Sequence, residues 1–396
     1  SVIPRFRMHQ PLPRRTFLKS TALASVGFGI ITQSNAAKAK VIDTKVISRL
    51  PDIYHGWPTL TRRKNGQLIV VCSGGREQHV CPFGRVDLMR SEDNGETWTF
   101  PRTILDGPID DRDAGILETD QGSLLATTFT SLAYVDYVMK KELAKPVGRP
   151  GAWSQEQRDR WLSVHNRIGE KERKAELGQW MIRSTDGGIT WSERYTSIVN
   201  SPHGPIQLKD GRQLYAGKVL WTGNKENGVC ESKDDGKTWQ WLAGIPTREG
   251  DTNPNYHELH AVEAPSGKLI AHIRNHNKKN SRETLQSESI DGGRTWSVPH
   301  SIGVWGLPSF LNRLRDGRLL MSYGHRRKPF GNQARISNDE GKTWSEPMII
   351  SGDGAGGDLG YPSTVELGDG SLVTVWYEKL EGSSRAVLRQ ARWRLG

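Results

Sequence analysis

The sequence SIDGGRTWS, from Ser289 to Ser297, is one of five closely related nonapeptides in this chain. The others, which we also call boxes, are SEDNGETWT from Ser91, STDGGITWS from Ser184, SKDDGKTWQ from Ser232 and SNDEGKTWS from Ser337. Each has an aspartate and at least one glycine at its centre, which is typical of a tight hairpin with positive φ angles. The Thr-Trp or equivalent at its end predicts the start of a strand that buries an indole.

The spacing of the boxes indicates a repeat architecture. Successive box tryptophans are separated by 93, 48, 57 and 48 residues, so the first interval is close to twice the shortest. A period near 40–50 residues is typical of propellers and of other repeat arrays.

A second, weaker repeat lies between the boxes and gives the number of units. It consists of an apolar strand, a turn with glycine and a Leu-rich strand, which together predict a hairpin. The six copies begin at Gly56, Asp113, Gly204, Glu258, Leu307 and Tyr361. Five of them are followed by a box hairpin, so each unit is expected to contain four strands.

Six four-stranded units predict an all-β, six-bladed β-propeller. The sixth unit has no box, and we expect the segment Lys40–Leu50 to supply its outer strand and close the ring. The long first interval holds a charged, partly helical insertion in blade two, at about 140–180. A separate domain is the alternative, but some 40 residues is small for one.

The boxes themselves are interpreted as structural. Their Asp and Ser side chains can hydrogen-bond the backbone of their own turn, and the tryptophan can pack between strands. Calcium binding is an alternative, but each turn supplies only one or two carboxylates, fewer than a full oxygen shell requires.

Residues 1–39 are predicted to be an export signal of the twin-arginine type. Arg14-Arg15 precede a short apolar run that ends in Ala37-Lys38-Ala39, an A-x-A cleavage pattern. The expected location is therefore periplasmic or secreted, with the propeller in residues 40–396. No run of eighteen apolar residues predicts a membrane span in that part of the chain.

Charge and cysteines restrict the remaining function classes. The chain has a net charge of +11, but six basic residues and no acidic ones lie in residues 1–39, so residues 40–396 carry +5. A net charge of +5 weakly supports an acidic substrate and gives little reason to expect binding to nucleic acid. Of the three cysteines, Cys72 and Cys81 are the nearest pair for a disulfide, and no Cys/His spacing predicts a metal site.

Candidate functional residues are sought at the ends of the first two strands of each unit, because the inner strands and the adjoining loops surround the mouth of a propeller channel. The positions are rich in arginines and carboxylates, which suit an anionic substrate and proton transfer. They comprise Arg76, Glu77 and His79 in unit one, Arg112 and Asp113 in unit two, Glu258 and Arg274 in unit four, Arg326 and Arg327 in unit five, and Tyr361 in unit six.

The boxes, the six units and these residues resemble the sialidase (neuraminidase) superfamily. The segment ELHAVEAPSGKLIAHIR is similar to the family segment with a glutamate and a clamp arginine, which implies these roles for Glu258 and Arg274. GYPSTVELGDGSLVTVWYE resembles the segment with the nucleophilic tyrosine, here Tyr361, and GHRRKPFGNQARIS the one with a further clamp arginine, here Arg326 or Arg327. Sialidases are an exception to the two-carboxylate rule of glycosidases.

The chain departs from the family pattern at two places. The family's Arg-Ile-Pro motif falls on YHGWPTL, where Pro58 matches but Gly56 replaces the first clamp arginine. The loop GGREQHVCPFGRV also lacks the acid/base aspartate of the family. Glu77, His79 or the DDRD group (Asp110 to Asp113) would have to supply that function, and Arg112 the missing positive charge.

The resemblance implies a retaining, exo-α-sialidase-like glycoside hydrolase that acts without a cofactor or metal on the terminal acidic sugar of a glycan. A base must take the proton of a tyrosine before it can attack, which is the role expected of Glu258. Two alternatives stay open: an enzyme for a different acidic glycan, for example a lyase that uses His79 and Tyr361, and a non-catalytic glycan-binding propeller.

Overall fold

The computed structural model describes residues 37–48 and 50–396 and has an all-β architecture of six four-stranded antiparallel sheets. The first strand, β1, spans Ala39–Val46. Blade one contains β2 (Tyr54–Arg62), β3 (Leu68–Arg76), β4 (Arg85–Ser91) and β5 (Arg102–Leu105); blade two contains β6 (Asp110–Glu118), β7 (Leu124–Ser131), β8 (Gln179–Ser184) and β9 (Tyr195–Thr196). Blade three contains β10 (Ile206–Gln207), β11 (Gln213–Lys218), β12 (Asn227–Ser232) and β13 (Gln240–Gly244); blade four contains β14 (Tyr256–Glu263), β15 (Leu269–Asn275), β16 (Glu283–Ser289) and β17 (His300–Trp305). Blade five contains β18 (Ser309–Arg313), β19 (Leu319–His325), β20 (Gly331–Ser337) and β21 (Met348–Ser351).

Blade six is built from both ends of this region and closes the ring. It contains β22 (Leu359–Glu366), β23 (Leu372–Lys379) and β24 (Ala386–Leu395), with β1 as the outer strand. Strand β1 pairs antiparallel with β24, from Ala39 opposite Leu395 to Val46 opposite Arg389. The six-bladed propeller is thus as predicted, and the closing strand predicted at Lys40–Leu50 is observed at Ala39–Val46. Residues 1–36 of the predicted export signal lie outside the described residues.

Each joint between neighbouring blades has its own apolar core. Leu60 and Val365, for example, belong to the cluster between blades one and six, and Leu214 and Leu259 to the cluster between blades three and four. The other four joints are filled in the same way. Burial of these side chains at about 25 cal/mol per Å² holds the blades together as a ring.

The boxes act at these joints. In the last box Ser337 Oγ donates to Asp339 Oδ1 at 2.8 Å, the Gly341 amide donates to Ser337 Oγ at 2.8 Å, and Thr343 Oγ1 donates to Asp339 Oδ2 at 2.6 Å. The same pattern recurs in the other boxes. The five tryptophans each pack on the core between their own blade and the preceding one: Trp98, Trp191, Trp239, Trp296 and Trp344. The boxes are therefore structural, as expected.

The turns on the box-bearing face are also linked directly from blade to blade. A side chain at or near the end of an inner strand accepts a backbone N–H from the turn of the preceding blade. These bonds join the Lys64 amide to Glu118, Asp120 to Gln207, Lys209 to Glu263 and Arg315 to Glu366, at 2.6 to 3.0 Å. Neighbouring blades are thereby held in register at four of the six joints.

The insertion of blade two spans residues 132–178, between β7 and β8, and begins earlier than the predicted 140. It contains a single π-helical turn (Val135–Met139) and the helices α1 (Lys140–Leu143), α2 (Gln155–His165) and α3 (Glu170–Ala175). Trp153 and Trp161 pack with Cys81 and Phe83 of the loop that joins β3 to β4. The insertion thus rests on blade one as well as on its own blade.

Two further expectations concern cysteines and membranes. Cys72, Cys81 and Cys230 are buried free thiols, so the nearest pair in the sequence does not form a disulfide. In the part of the chain that the structure describes, no helix is both long and apolar enough to cross a membrane.

The box network predicts the effect of removing one hydroxyl. In Ser337→Ala the buried Gly341 amide loses its partner, so we expect the free energy of unfolding to fall by about 1–3 kcal/mol. Urea denaturation measures the change, with Ser384→Ala in the exposed β23–β24 turn as the matched control. Equal stability of the two variants would contradict a structural role for the box serine.

Candidate active site

Four inner strands begin with the same irregular backbone, and this places their side chains at one mouth of the channel. Near the start of β2, β6, β14 and β22 the pairing register shifts by a bulge. The bulge residues Trp57, Asp113, Glu258 and Tyr361 have φ angles of 50°, 48°, 32° and 54°. Left-handed backbone at a residue other than glycine is strained by about 1–3 kcal/mol, and such strain is concentrated at functional sites.

Tyr361, Glu258 and Arg274 form one hydrogen-bonded group across blades four and six. The Tyr361 hydroxyl donates to Glu258 Oε1 at 2.5 Å, and Arg274 Nη1 donates to the Tyr361 oxygen at 3.0 Å and to Glu258 Oε2 at 2.5 Å. Tyr361 is 4% exposed. The structure thus brings together the three residues that the resemblance singled out.

The electrostatics of this group keep the glutamate ionised and the tyrosine protonated. Burial alone would raise the pKa of Glu258, but the charge of Arg274 and the hydrogen bonds from Tyr361 and Arg274 lower it to about 2. Burial, together with the nearby Glu258 carboxylate, raises the pKa of the Tyr361 phenol well above its ordinary value. The resting state is a neutral phenol hydrogen-bonded to a carboxylate.

An arginine-rich pocket lies beside Tyr361. This cavity of about 120 Å³ is lined by Arg274, Arg282 and Arg326, together with His276 and Trp305. The Arg326 guanidinium lies 5.7 Å from the centre of the Tyr361 ring, and its Nε donates to the Leu359 carbonyl. Three guanidinium groups around a small cavity are suited to a carboxylate or a similar anion.

Arg327 does not line this pocket. Its guanidinium stacks on the Trp305 ring, 4.3 Å from the centroid, and its Nε donates to His325. Of the two adjacent arginines, Arg326 is therefore the one that faces Tyr361. Arg282, from the loop between β15 and β16, was not among the predicted residues.

Gly56 occupies the position of the missing family arginine, and the structure gives a steric reason. A Cβ at Gly56 would lie 3.1 Å from Cε1 of Tyr54, so the tyrosine ring fills the space that a larger side chain would need. The next residue, Trp57, is buried between Arg76 and Arg112, whose guanidinium carbons lie 5.0 and 4.6 Å from its ring.

Asp113 and Arg112 both reach the mouth from blade two. Asp113 is 6% exposed, and burial together with the nearby Glu258 carboxylate raises its pKa to about 7, although Arg112 and Arg76 oppose this. Asp113 is thus a carboxyl group that exchanges a proton near neutral pH. The preceding Asp110 and Asp111 are fully buried below the mouth.

Arg76 and Glu77 have structural partners. Arg76 forms a two-pronged, fully buried ion pair with Asp110, at 2.7 and 2.9 Å, and its Nη2 also donates to the His79 carbonyl. Glu77 accepts hydrogen bonds from Arg160 Nε and from the Trp161 indole of the insertion. Both residues therefore fix the β3–β4 loop that carries His79.

His79 lies at the mouth on the other side of Tyr361 from the arginine pocket. Its side chain is 48% exposed, and its Nδ1 lies 3.2 Å from Asp358 Oδ1. Its ring contacts Trp57 edge-on at 4.9 Å. Asp358, only three residues before Tyr361, was not among the predicted residues, since the sequence gives no sign that a loop aspartate in blade six pairs with a loop histidine in blade one.

A larger cavity of about 390 Å³ opens at the opposite end of the channel. Its lining includes His203, His260 and Phe310, but not Tyr361, Glu258 or Arg274. The His260 ring stacks on Phe310 at 4.5 Å, and His203 lies 6.3 Å from the Tyr361 ring. These three side chains separate the larger cavity from the mouth. Because the larger cavity is not lined by Tyr361, Glu258 or Arg274, the candidate active site is the smaller, arginine-lined pocket.

Comparison with known proteins agrees with this architecture. The family model described as "BNR repeat-like domain" matches residues 135–374. A sialidase of Bacteroides fragilis (strain YCH46) is 27% identical over 320 residues, which cover 74% of this chain and 54% of the relative. A sialidase of Paraclostridium sordellii is 22% identical over 268 residues, or 62% of this chain and 57% of the relative. The chain spans about half the length of these curated relatives.

Solved structures show the same fold at low sequence identity. A protein of unknown function from Dyadobacter fermentans has a TM-score of 0.71 and 22% identity, with 90% of this chain and 99% of that chain covered. The NanB sialidase from Streptococcus pneumoniae has a TM-score of 0.59 and 16% identity, with 90% and 70% covered. At these low identities the similarity to both proteins shows a shared fold only.

The raised pKa of Asp113 predicts a pH-dependent stability. The folded protein holds the Asp113 proton up to pH about 7, against a usual pKa of 3.8, so ionisation costs stability progressively between these values. At pH 4 the melting temperature of Asp113→Asn should lie close to that of the wild type. As the pH rises to about 7 the wild type loses stability and the variant does not, so the melting temperature of the variant should rise relative to that of the wild type. Asparagine also tolerates the left-handed backbone.

The matched control for this measurement is the box variant Asp339→Asn. Asp339 has a lowered pKa because its hydrogen bonds to Thr343 and Ser337 outweigh burial, so the stability that its charge contributes is lost only as the pH falls below about 4, and the deficit of Asp339→Asn should stay constant between pH 4 and pH 7. Thermal melts of both variants across pH would contradict the assignment if the Asp113→Asn difference did not change with pH.

Proposed function

This chain belongs to the BNR repeat-like domain family within the sialidase superfamily, and on that premise we propose that it is a retaining exo-glycosidase for a terminal acidic sugar. The observation that carries the proposal is the hydrogen-bonded group of Tyr361, Glu258 and Arg274 beside a pocket of three arginines. We further propose that the enzyme is exported through the twin-arginine-type signal in residues 1–39.

In the first half-reaction the arginine pocket holds the carboxylate of the sugar. The Tyr361 oxygen attacks the anomeric carbon while its proton passes to Glu258, which accepts the phenol hydrogen bond in the resting state. The glycosidic C–O bond breaks, and its electron pair stays on the leaving oxygen, which takes a proton from the acid of the site. A phenol suits an anionic sugar because a carboxylate nucleophile would be repelled.

In the second half-reaction water attacks the anomeric carbon of the tyrosyl intermediate. The water gives one proton to the conjugate base of the acid, and the bond to Tyr361 breaks with its electron pair on the phenolate oxygen. Glu258 returns the proton to that oxygen. The sugar leaves with retained configuration, because each of the two substitutions at the anomeric carbon inverts it.

We assign the acid of the site to His79. The leaving group of an exo-acting enzyme projects out of the pocket, and His79 is half exposed at the mouth, whereas Asp113 is buried beneath it. Among the described residues, His79 Nε2 has no hydrogen-bond partner, so it is available to a leaving oxygen. We assign to Asp113 a charge-balancing role: when protonated, it adds no second negative charge beside Glu258.

A second candidate is β-elimination from an acidic glycan. The raised pKa of Tyr361 keeps the phenol protonated, so it holds a proton for a leaving oxygen, and His79 Nε2 takes the proton next to the carboxylate. The electron pair of that C–H bond forms the double bond as the C–O bond breaks. An unsaturated sugar is the distinguishing product.

Removal of the tyrosine hydroxyl tests both reactions. We expect Tyr361→Phe to lower turnover of the true substrate by roughly 1,000-fold or more, because both routes pass through that oxygen. Aryl α-sialosides and aryl uronides are suitable chromogenic substrates, with acidic polysaccharides assayed for unsaturated products. Tyr195→Phe, which removes a hydroxyl bonded to Gly236 far from the mouth, is the matched control.

The outcomes separate the candidate functions. A sialoside or uronide turned over only when Tyr361 is present supports the hydrolase, and an unsaturated product supports the lyase. Activity that survives Tyr361→Phe would overturn the assigned nucleophile. Binding of acidic glycans without any turnover would instead favour a glycan-binding propeller.

The arginine pocket makes a separate prediction about substrate affinity. Arg326→Ala removes a guanidinium from the pocket, so KM should rise about 10- to 100-fold, as expected for loss of a hydrogen bond to a charged group. Arg327→Ala should change KM little, since that guanidinium stacks on Trp305. Steady-state kinetics of the pair provide the comparison, and a larger effect at Arg327 would reverse the assignment.

A further inference from the structure

Asp358 is the centre of a polar cluster at the mouth, next to Tyr361. Tyr54 donates its hydroxyl to Oδ1 and Oδ2 at 3.1 and 3.2 Å, and Tyr377 donates to Oδ1 at 3.1 Å. Lys379 Nζ lies 3.1 Å from Oδ2, and His79 Nδ1 lies 3.2 Å from Oδ1. One carboxylate thus faces four donors from blades one and six.

The cluster holds the carboxylate in a fixed position. Tyr54 and Tyr377 are fully buried, and burial raises the pKa of both phenols, which keeps them protonated as donors. Burial opposes ionisation of Asp358, but its hydrogen bonds to His79 and Lys379 lower its pKa well below the usual value. Since an ionised carboxylate only accepts hydrogen bonds, every partner must present a proton to it.

This requirement fixes the tautomer of His79. Nδ1 lies 3.2 Å from Asp358 Oδ1 and 3.1 Å from the Tyr54 oxygen, and the one hydroxyl proton of Tyr54 is donated to Asp358. Nδ1 therefore carries the proton, and Nε2, which has no partner among the described residues, is left unprotonated in the neutral ring. The hydrogen bond made by one ring nitrogen decides the chemistry of the other. Nε2 then accepts a proton when the ring is neutral and donates one when the ring is charged.

The backbone of the histidine loop is held independently. Arg76 donates to the His79 carbonyl at 3.1 Å, and the Glu77 carboxylate anchors the loop to the insertion. The edge of the His79 ring meets Trp57. The loop is thus fixed without Asp358, so loss of the carboxylate should change the ring and not the fold of the loop.

We infer that Asp358 is a positioning residue that orients His79 and keeps its proton on Nδ1. The inference rests on the proposed function insofar as it makes His79 the acid of the site. Nothing in the family resemblance assigned a role to this aspartate. The tyrosines 54 and 377 support the same carboxylate from behind.

The charge environment of His79 sets the direction of the pH effect. Burial lowers the pKa of His79, as do the guanidinium groups of Arg112 and Arg76, while the Asp358 carboxylate raises it. Tyr54 contacts the ring as a neutral group, and Lys379 pairs with Asp358. Removal of the Asp358 charge should therefore lower the pKa of His79, by about one unit for a neighbouring opposite charge.

The test is a nuclear magnetic resonance experiment on the full chain labelled with ¹⁵N-histidine, and it needs no substrate. His79→Gln identifies the His79 signals, whose nitrogen shifts report the tautomer. We expect the Nδ1-protonated form in the wild type, and in Asp358→Asn a mixture of tautomers and a pKa lower by about one unit. Asp353→Asn is the matched control, because it removes an exposed carboxylate that pairs with Arg389 and lies in the same β21–β22 connection as Asp358.

Either of two results would overturn the inference: an Nε2-protonated ring in the wild type, or an unchanged tautomer and pKa in a folded Asp358→Asn. If that variant does not fold, the wild-type tautomer and Tyr377→Phe, which removes one donor to the carboxylate, decide the question. Tyr377→Phe should shift the His79 signals in the direction of Asp358→Asn by a smaller amount.

Activity measurements separate this inference from the proposed function. With a substrate in hand, Asp358→Asn should lower kcat about 10- to 100-fold, change KM little, and move the limb of the pH profile that belongs to His79 to lower pH. If the nuclear magnetic resonance shifts are as expected but no acidic glycan is turned over, the positioning role of Asp358 is supported and the proposed function is wrong. If turnover depends on Tyr361 but the pH profile of Asp358→Asn is that of the wild type, the proposed function is supported and the positioning role of Asp358 is wrong.

Discussion

The contact on which the site depends is the hydrogen bond between Tyr361 and Glu258, which lie 103 residues apart in sequence. It exists only because the ring is closed. Strand β22 carries the tyrosine and belongs to a blade whose outer strand, β1, comes from the other end of the described region. Apolar clusters hold blade six to blades one and five, so a weaker β1–β24 pairing would destabilise the blade that carries both Tyr361 and Asp358.

The site divides into two electrostatic halves around the tyrosine. On one side, Arg274, Arg282 and Arg326 surround a cavity that an anion can neutralise. On the other side, Asp358 gathers two phenols, a histidine and a lysine around one negative charge. Tyr361 lies between a half that suits an anion and a half that contains proton donors and acceptors, which is the arrangement that the proposed reaction on an acidic sugar requires.

The sequence predicted the repeated parts of this molecule better than the unrepeated ones. The period of the boxes indicated a propeller, because it reflects the packing of each tryptophan on the preceding blade, and the six hairpin repeats between the boxes gave the number of blades. Glu258, Arg274 and Tyr361 were predicted because they lie at the ends of the first two strands of their units, in segments that resemble those of sialidases. Arg282 and Asp358 lie on loops with no repeat, and only the closed ring brings them to the mouth. Arg76 and Glu77 looked like site residues, but partners distant in sequence, Asp110 and the insertion, engage them.

The links between turns on the box-bearing face have a consequence for how the protein can change. That face has short turns, and at four of the six joints a turn is bonded to the neighbouring blade through a backbone N–H, so a longer turn there would break a link. The loops at the mouth are not bound by this pattern, and the one in blade two extends over residues 132–178 while the one in blade five needs only a few residues. Substrate preference can therefore diverge through insertions at one face, while the other face preserves the ring that positions the tyrosine.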